Sequence, residues 1–60
     1  MNKIIILNFE DASVHIFDYD NQAYDDALDF FEVINEEEGY NFKEQNCEWM
    51  IVKDLKIEKI

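Results

Sequence analysis

Lys3-Ile4-Ile5-Ile6-Leu7-Asn8-Phe9 is the stretch that decides the fold. Its side chains are apolar on both alternating faces, the pattern of a central strand rather than of an edge strand with one wet face. The purely apolar run inside it, Ile4 to Leu7, is far shorter than the roughly 20 residues that cross a bilayer.

Outward from this strand the chain punctuates itself clearly. Glu10-Asp11-Ala12-Ser13 is small and polar, and Val14 to Tyr19 resumes strand composition, with Val14 and Ile16 on one face and His15, Phe17 and Tyr19 on the other. Together these read as a β-hairpin. Asp20 follows as an N-cap residue, flanked by Tyr19 and Tyr24 at the spacing of a hydrophobic staple. A helix is predicted from there to near Glu37, with Gly39 as its left-handed terminator. Its apolar arc is Tyr24, Ala27, Leu28, Phe30, Phe31 and Ile34, opposite a polar stripe of Asp25, Asp29, Glu32 and Glu36. Tyr40 to Asn46 reads as a loop and Cys47 to Val52 as a third strand. Lys53-Asp54 either turns into a short fourth strand at Leu55–Ile57 or lets the third strand run on.

This order predicts an α+β domain of ββαβ type, or ββαββ if the last strand forms, occupying residues 1–60 as a single unit. A helical crossover from strand two places strand three on the far side of strand one, giving a sheet order 2-1-3 with the most apolar strand in the middle. One helix covers one face. Apolar residues on both faces of the strands then call for a second cover, and a chain of 60 residues is short of core on its own. The expectation is self-association, with the aromatic side chains Phe17, Tyr19 and Trp49 as the oligomer face.

The formal net charge of -10 would favour disorder in a weakly apolar chain, but 48% hydrophobic and 15% aromatic residues support a folded domain. From Glu10 to Phe42 there are eleven acids and no lysine, whereas Lys43 to Ile60 is balanced, with four of each sign. Arginine is absent, which disfavours direct binding to nucleic acid or an anionic membrane. A lone cysteine and the lack of a secretory leader pattern point to a cytoplasmic protein.

Three chemistries compete with a purely structural reading of these residues. His15 and Cys47 could form an imidazole-activated thiol, but both sit in apolar strand patterns that suit core or edge positions better. Asp18 to Asp26 crowds oxygen ligands before a helix as a calcium loop does, yet the sixth position is Ala23 instead of glycine, and the twelfth, Asp29, is too short for the bidentate role. A carboxylate pair for hydrolysis needs a cleft that separates two pKa values, which a solvated helix stripe does not provide. No enzyme, cofactor or metal is expected.

What remains is the acidic surface formed by Asp25, Asp26, Asp29, Glu32, Glu36 and Glu37. Like charges four residues apart on a helix cost a few tenths of a kcal/mol per pair. Solubility is one reason to carry them; a basic protein partner is the other. If that partner binds nucleic acid, the carboxylates would stand where phosphates do, as in a DNA mimic or inhibitor. The sequence therefore reads as a non-enzymatic protein–protein interaction domain. The alternative is a homo-oligomeric structural module whose acidity serves solubility only.

Overall fold

The computed structural model describes residues 2–59, so the first and last residues of the predicted 1–60 domain lie outside it. Strands β1 (Asn2–Asn8), β2 (Ser13–Tyr19) and β3 (Cys47–Val52) form one sheet, with helix α1 (Ala27–Glu38) between β2 and β3 and a single 3₁₀ turn (Glu44–Asn46) leading into β3. The strand order is β2-β1-β3, and β1 is antiparallel to both neighbours. Both the α+β class and the central place of the isoleucine strand follow the sequence pattern. Lys53–Ile57 carries no strand, so β3 stops at Val52.

Register fixes which side chains meet the helix. Ile4 lies between Phe17 and Ile51, and Ile6 between His15 and Trp49. Ile4 and Ile6 are wholly buried and join Tyr19, Ala27, Phe30, Phe31, Phe42 and Cys47 in one core, with Phe17, Tyr24, Ile34 and Trp49 packed at its margin. Full burial of an isoleucine or phenylalanine side chain stabilises by about 1.5–3 kcal/mol, so these few residues dominate the stability of so small a domain.

Helix α1 starts later than Asp20. Its N-cap is Asp26, in extended conformation, whose carboxylate accepts from the Asp29 amide at 2.9 Å. Asp20 instead closes a turn: its carboxylate accepts from Gln22 N at 2.9 Å and its carbonyl from Ala23 N at 3.0 Å. A side-chain acceptor satisfies either turn equally well, and Asp20 is used for the reversal that carries the chain from the sheet edge up to the helix layer. Tyr19 and Tyr24 do meet, stacked with centroids 5.4 Å apart, but across this turn and not as a helical staple. At the other end Gly39 adopts φ 75° and donates to Asn35 O at 3.1 Å, the left-handed termination its position predicts.

Two devices tie the loops to this frame. Asn35 reaches from the helix to residue 42, donating through Nδ2 to Phe42 O and accepting from Phe42 N, each at 2.9 Å. In the β1–β2 turn, Asn8 Oδ1 accepts from Glu10 N at 3.0 Å, Phe9 N donates to Asn46 O at 2.9 Å, and Asn46 Nδ2 donates to Glu10 Oε2 at 3.1 Å. The same turn holds Ala12 at φ 57°, a left-handed conformation that costs a residue with a Cβ about 1–2 kcal/mol.

Candidate interaction surfaces

The six acidic residues do not form one uniform stripe. Asp26 is spent on the N-cap, and Asp29 accepts from Asp25 N at 3.3 Å while lying half-buried in the first turn. Asp25 precedes the helix altogether. Glu32, Glu36 and Glu37 are exposed and make no hydrogen bond or ion pair among the described residues, whose two salt bridges are Lys3–Asp18 and Lys56–Glu58. The capping acids sit where the helix dipole welcomes them; Glu36, Glu37 and Glu38 sit where it opposes them, with no basic residue in the last turn. Nothing within the described chain compensates the glutamates.

The field of the capping acids reaches the core. Burial raises the Tyr19 hydroxyl above the ordinary tyrosine value, and the nearby carboxylates of Asp26, Asp29 and Asp25 add to the effect. Asp18 goes the other way, held low by its hydrogen bond to Lys3 and by the charge of that lysine.

The second surface is the sheet face turned away from α1. It consists of Ile5, Leu7, Val14, Ile16, Met50 and Val52, with Lys3, Asp18 and Glu48 interspersed. Val14 is 63% exposed, Met50 51%, Ile16 43% and Leu7 37%; only the central Ile5, shielded by its neighbours Ile16 and Met50, is buried. The aromatic residues expected at an oligomer face are not on this open surface. Phe17, Tyr19 and Trp49 lie on the other side, under or beside the helix: Tyr19 is buried, Phe17 packs on Phe30 at 5.6 Å and Trp49 meets Phe31 edge-to-face at 5.0 Å. Both faces of each strand are apolar, so composition does not separate them. A subtler signal does: each strand carries one charged residue, Lys3, Asp18 or Glu48, on the open face and none on the face that meets the helix.

The reactive candidates are kept apart. His15 on β2 and Cys47 on β3 are separated by β1, where they pair with Ile6 and Asn8 respectively, and Cys47 is buried. His15 Nε2 instead lies 2.8 Å from Ser13 Oγ, and that hydroxyl donates to Asp11. With its one proton given to Asp11, Ser13 can only accept from His15, the reverse of what a nucleophile–base pair needs. Around the Asp18–Asp29 loop, and elsewhere among the described residues, no three His, Cys, Asp or Glu side chains converge on a metal site.

Beside His15 the β1–β2 turn and the Gly39–Phe42 segment enclose an open cleft of about 310 Å³, lined in part by Asn8, Glu10, Asp11 and Tyr40. Sequence reading passed over this cleft because its two walls are far apart in the chain and are brought together by tertiary contacts, the ring contacts of His15 with Tyr40 and Phe42 and the Asn46 hydrogen bonds to the β1–β2 turn. No helix of the described residues is long and apolar enough to cross a membrane. No protein-family model, curated protein or solved structure matches the chain.

Proposed function

We propose that the chain is a non-enzymatic protein–protein interaction domain that pairs with a second copy of itself through the open sheet face and offers the acidic helix, on the opposite side, to a basic protein. The observation that carries the reading is the separation of the two surfaces. The open face bears Lys3 against Asp18 and Glu48, nearly neutral in a molecule of net charge -10. It is therefore the surface on which two such acidic chains can meet with least repulsion.

Area limits how tight that pairing is. Three strands at about 4.8 Å spacing and roughly 20 Å length present a face of about 300 Å², below the roughly 800 Å² per partner of a standard stable interface. The exposed Phe9 and Ile57 side chains, 65% and 64% accessible, would widen the contact if they fold against the partner. The accessible surface of 4695 Å² also exceeds the roughly 4,200 Å² expected of a compact monomer of 7.3 kDa. A dimer dissociating at micromolar concentrations is the expected class. The uncompensated glutamates on the outer side would then attract a basic partner, and a nucleic-acid-binding protein is the kind whose groove suits a row of carboxylates.

The two contacts respond to salt in opposite directions. Added salt screens repulsion between acidic copies and strengthens self-association; it weakens binding to a cation-rich partner. Sedimentation velocity should show a dimer that grows with sodium chloride and is abolished by Ile16→Asp, while a fluorescent lysine-rich peptide should bind less as salt rises. Triple reversal of Glu32, Glu36 and Glu37 to lysine should abolish binding at the helix face and, by cutting the repulsion between copies, leave the dimer at least as tight; Asp29 is spared because it serves the helix start. A monomer at high micromolar concentration in high salt overturns the pairing. Peptide binding indifferent to the triple reversal overturns the helix-face reading.

A further inference from the structure

We propose that a second copy of the chain adds to the free edge of β3, strand against strand in antiparallel sense, a contact beyond the face pairing proposed above. Two hydrogen bonds fix which way the β3 backbone points. Phe9 N donates to Asn46 O at 2.9 Å, and this pair continues the β1–β3 register, so Glu48, Met50 and Val52 are the residues that exchange bonds with β1. Cys47, Trp49 and Ile51 therefore turn their N–H and C=O groups outward, and Cys47 N does so by donating to Glu44 O. Among the described residues no hydrogen bond is found for the outward backbone groups of Trp49 and Ile51. Side chains are open on both sides of the same edge: Met50 is 51% exposed on the open face, and Ile51 is 38% exposed on the helix side. Natural sheets blunt a free edge with lysine, proline or a bulge, and β3 has none of these in an unbroken register with β1. A row of unpaired N–H and C=O groups with apolar flanks is complementary to another extended strand.

Charge and symmetry make that strand a second β3. The other edge strand, β2, carries Asp18 and is flanked by Asp11 and Asp20, whereas β3 carries Glu48 alone. Between chains of net charge -10, β3 is the edge that meets its own copy with least repulsion. In a two-fold antiparallel pair, opposite residues share a face of the sheet, so the axis passes at a residue. With the axis at Met50, Trp49 stands opposite the partner's Ile51, and the two such pairs exchange two hydrogen bonds each, which satisfies every outward group of Trp49 and Ile51. An axis at Trp49 would set Ile51 against Cys47, whose N–H is already used by Glu44. An axis at Ile51 would carry Trp49 past the strand end to Lys53. The Met50 register also lays half-buried Trp49 against the exposed Ile51 side chain. Six strands in one sheet widen the open face from about 300 to about 600 Å², so edge and face contacts reinforce each other; the edge alone is too small for a stable interface.

The test is disulfide trapping of the full chain in high salt under mild oxidation, read on a non-reducing gel, with the native chain and its buried Cys47 as the blank. Opposite residues of a non-hydrogen-bonded antiparallel pair have Cα atoms about 4.5 Å apart, within disulfide reach, whereas sheets stacked face to face stand about 10 Å apart, beyond it. Met50→Cys should therefore give roughly tenfold more linked dimer than Glu48→Cys on the same strand or Val14→Cys, which is more exposed but lies on β2. Ile51→Pro removes an outward N–H without touching the bonds to β1, and combined with Met50→Cys it should lower linking to the level of those controls. Circular dichroism reports whether that variant folds, and Ile51→Lys, an edge-blunting change, repeats the test without proline. Linking of Met50→Cys no greater than that of Val14→Cys, or linking that survives both changes at position 51, overturns the proposal. Loss of the edge leaves the face pairing standing if sedimentation still shows a dimer sensitive to Ile16→Asp. A native dimer indifferent to Ile16→Asp, with Met50→Cys linked as expected, supports the edge and overturns the face pairing instead.

Discussion

Replacing Asn35 by alanine should destabilise the fold more than any other single change to an uncharged polar side chain. Both its amide groups are committed to Phe42, a residue 4% exposed, and both hydrogen bonds are 2.9 Å long. Removing one partner of a buried hydrogen bond costs about 1–3 kcal/mol, because the group left behind loses its partner without regaining water. Two such groups would imply about 2–6 kcal/mol if fully buried; both bonds are only partly buried, which places the cost in the lower part, about 2–4 kcal/mol, of which alanine's better helix propensity returns about 0.6 kcal/mol. A domain of 60 residues has roughly 3–9 kcal/mol in total, so a net loss of about 1.5–3.5 kcal/mol is a large fraction of it. Urea unfolding read by the fluorescence of Trp49, half-buried against Phe31, measures the loss directly; with a slope near about 1 kcal/mol per molar urea, the midpoint should fall by roughly 1.5–3.5 M. Asn35→Asp sharpens the test. It keeps the acceptor for Phe42 N but sets a carboxylate against Phe42 O at the negative end of the helix. The fold then favours the protonated carboxyl, so the deficit relative to the native chain should shrink as pH falls toward about 4, where an O–H can again donate to that carbonyl. A loss below about 0.5 kcal/mol for alanine, or an aspartate deficit indifferent to pH, would mean that water replaces the clamp and would refute the reasoning.

Ala12→Gly should raise stability by about 1 kcal/mol, since it relieves a left-handed conformation in an exposed turn; thermal unfolding should show the midpoint rising by several degrees. Asp26→Ala should cost about 1 kcal/mol through loss of the N-cap, and Asp20→Ala distinctly less, an order that circular dichroism melts would check and that a helix starting at Asp20 would reverse. Because the folded Tyr19 hydroxyl titrates above the ordinary tyrosine value, its contribution is fully present below about pH 10 and is lost as pH rises through the raised folded value. Tyr19→Phe should therefore flatten the alkaline limb of the stability profile, and an unchanged limb would count against this account.

The three strands, their order and the left-handed stop at Gly39 were legible because each rests on local pattern: two-residue alternation, the most apolar run in the middle, a glycine after the last periodic position. The helix start was not. Asp20 and Asp26 are chemically the same cap, and only the need to turn from the sheet edge into the helix layer assigns Asp20 to the turn. The acidic surface was legible as a composition, but which of its members are free was not: hydrogen bonding assigns Asp26 and Asp29 to the helix start and leaves Glu32, Glu36 and Glu37 outward.

By itself, then, the sequence determined a ββαβ sheet with one helical cover and an uncompensated negative charge in the middle of the chain. Tertiary structure decided which sheet face the helix covers, because the strands are apolar on both sides and only helix packing selects Ile4, Ile6, Phe17, Tyr19 and Trp49 for the core. That choice leaves Val14, Ile16 and Met50 in the open. It also created the cleft beside His15, since Glu10 and Tyr40 are brought together by loops that side-chain amides hold, and no periodicity encodes such a contact.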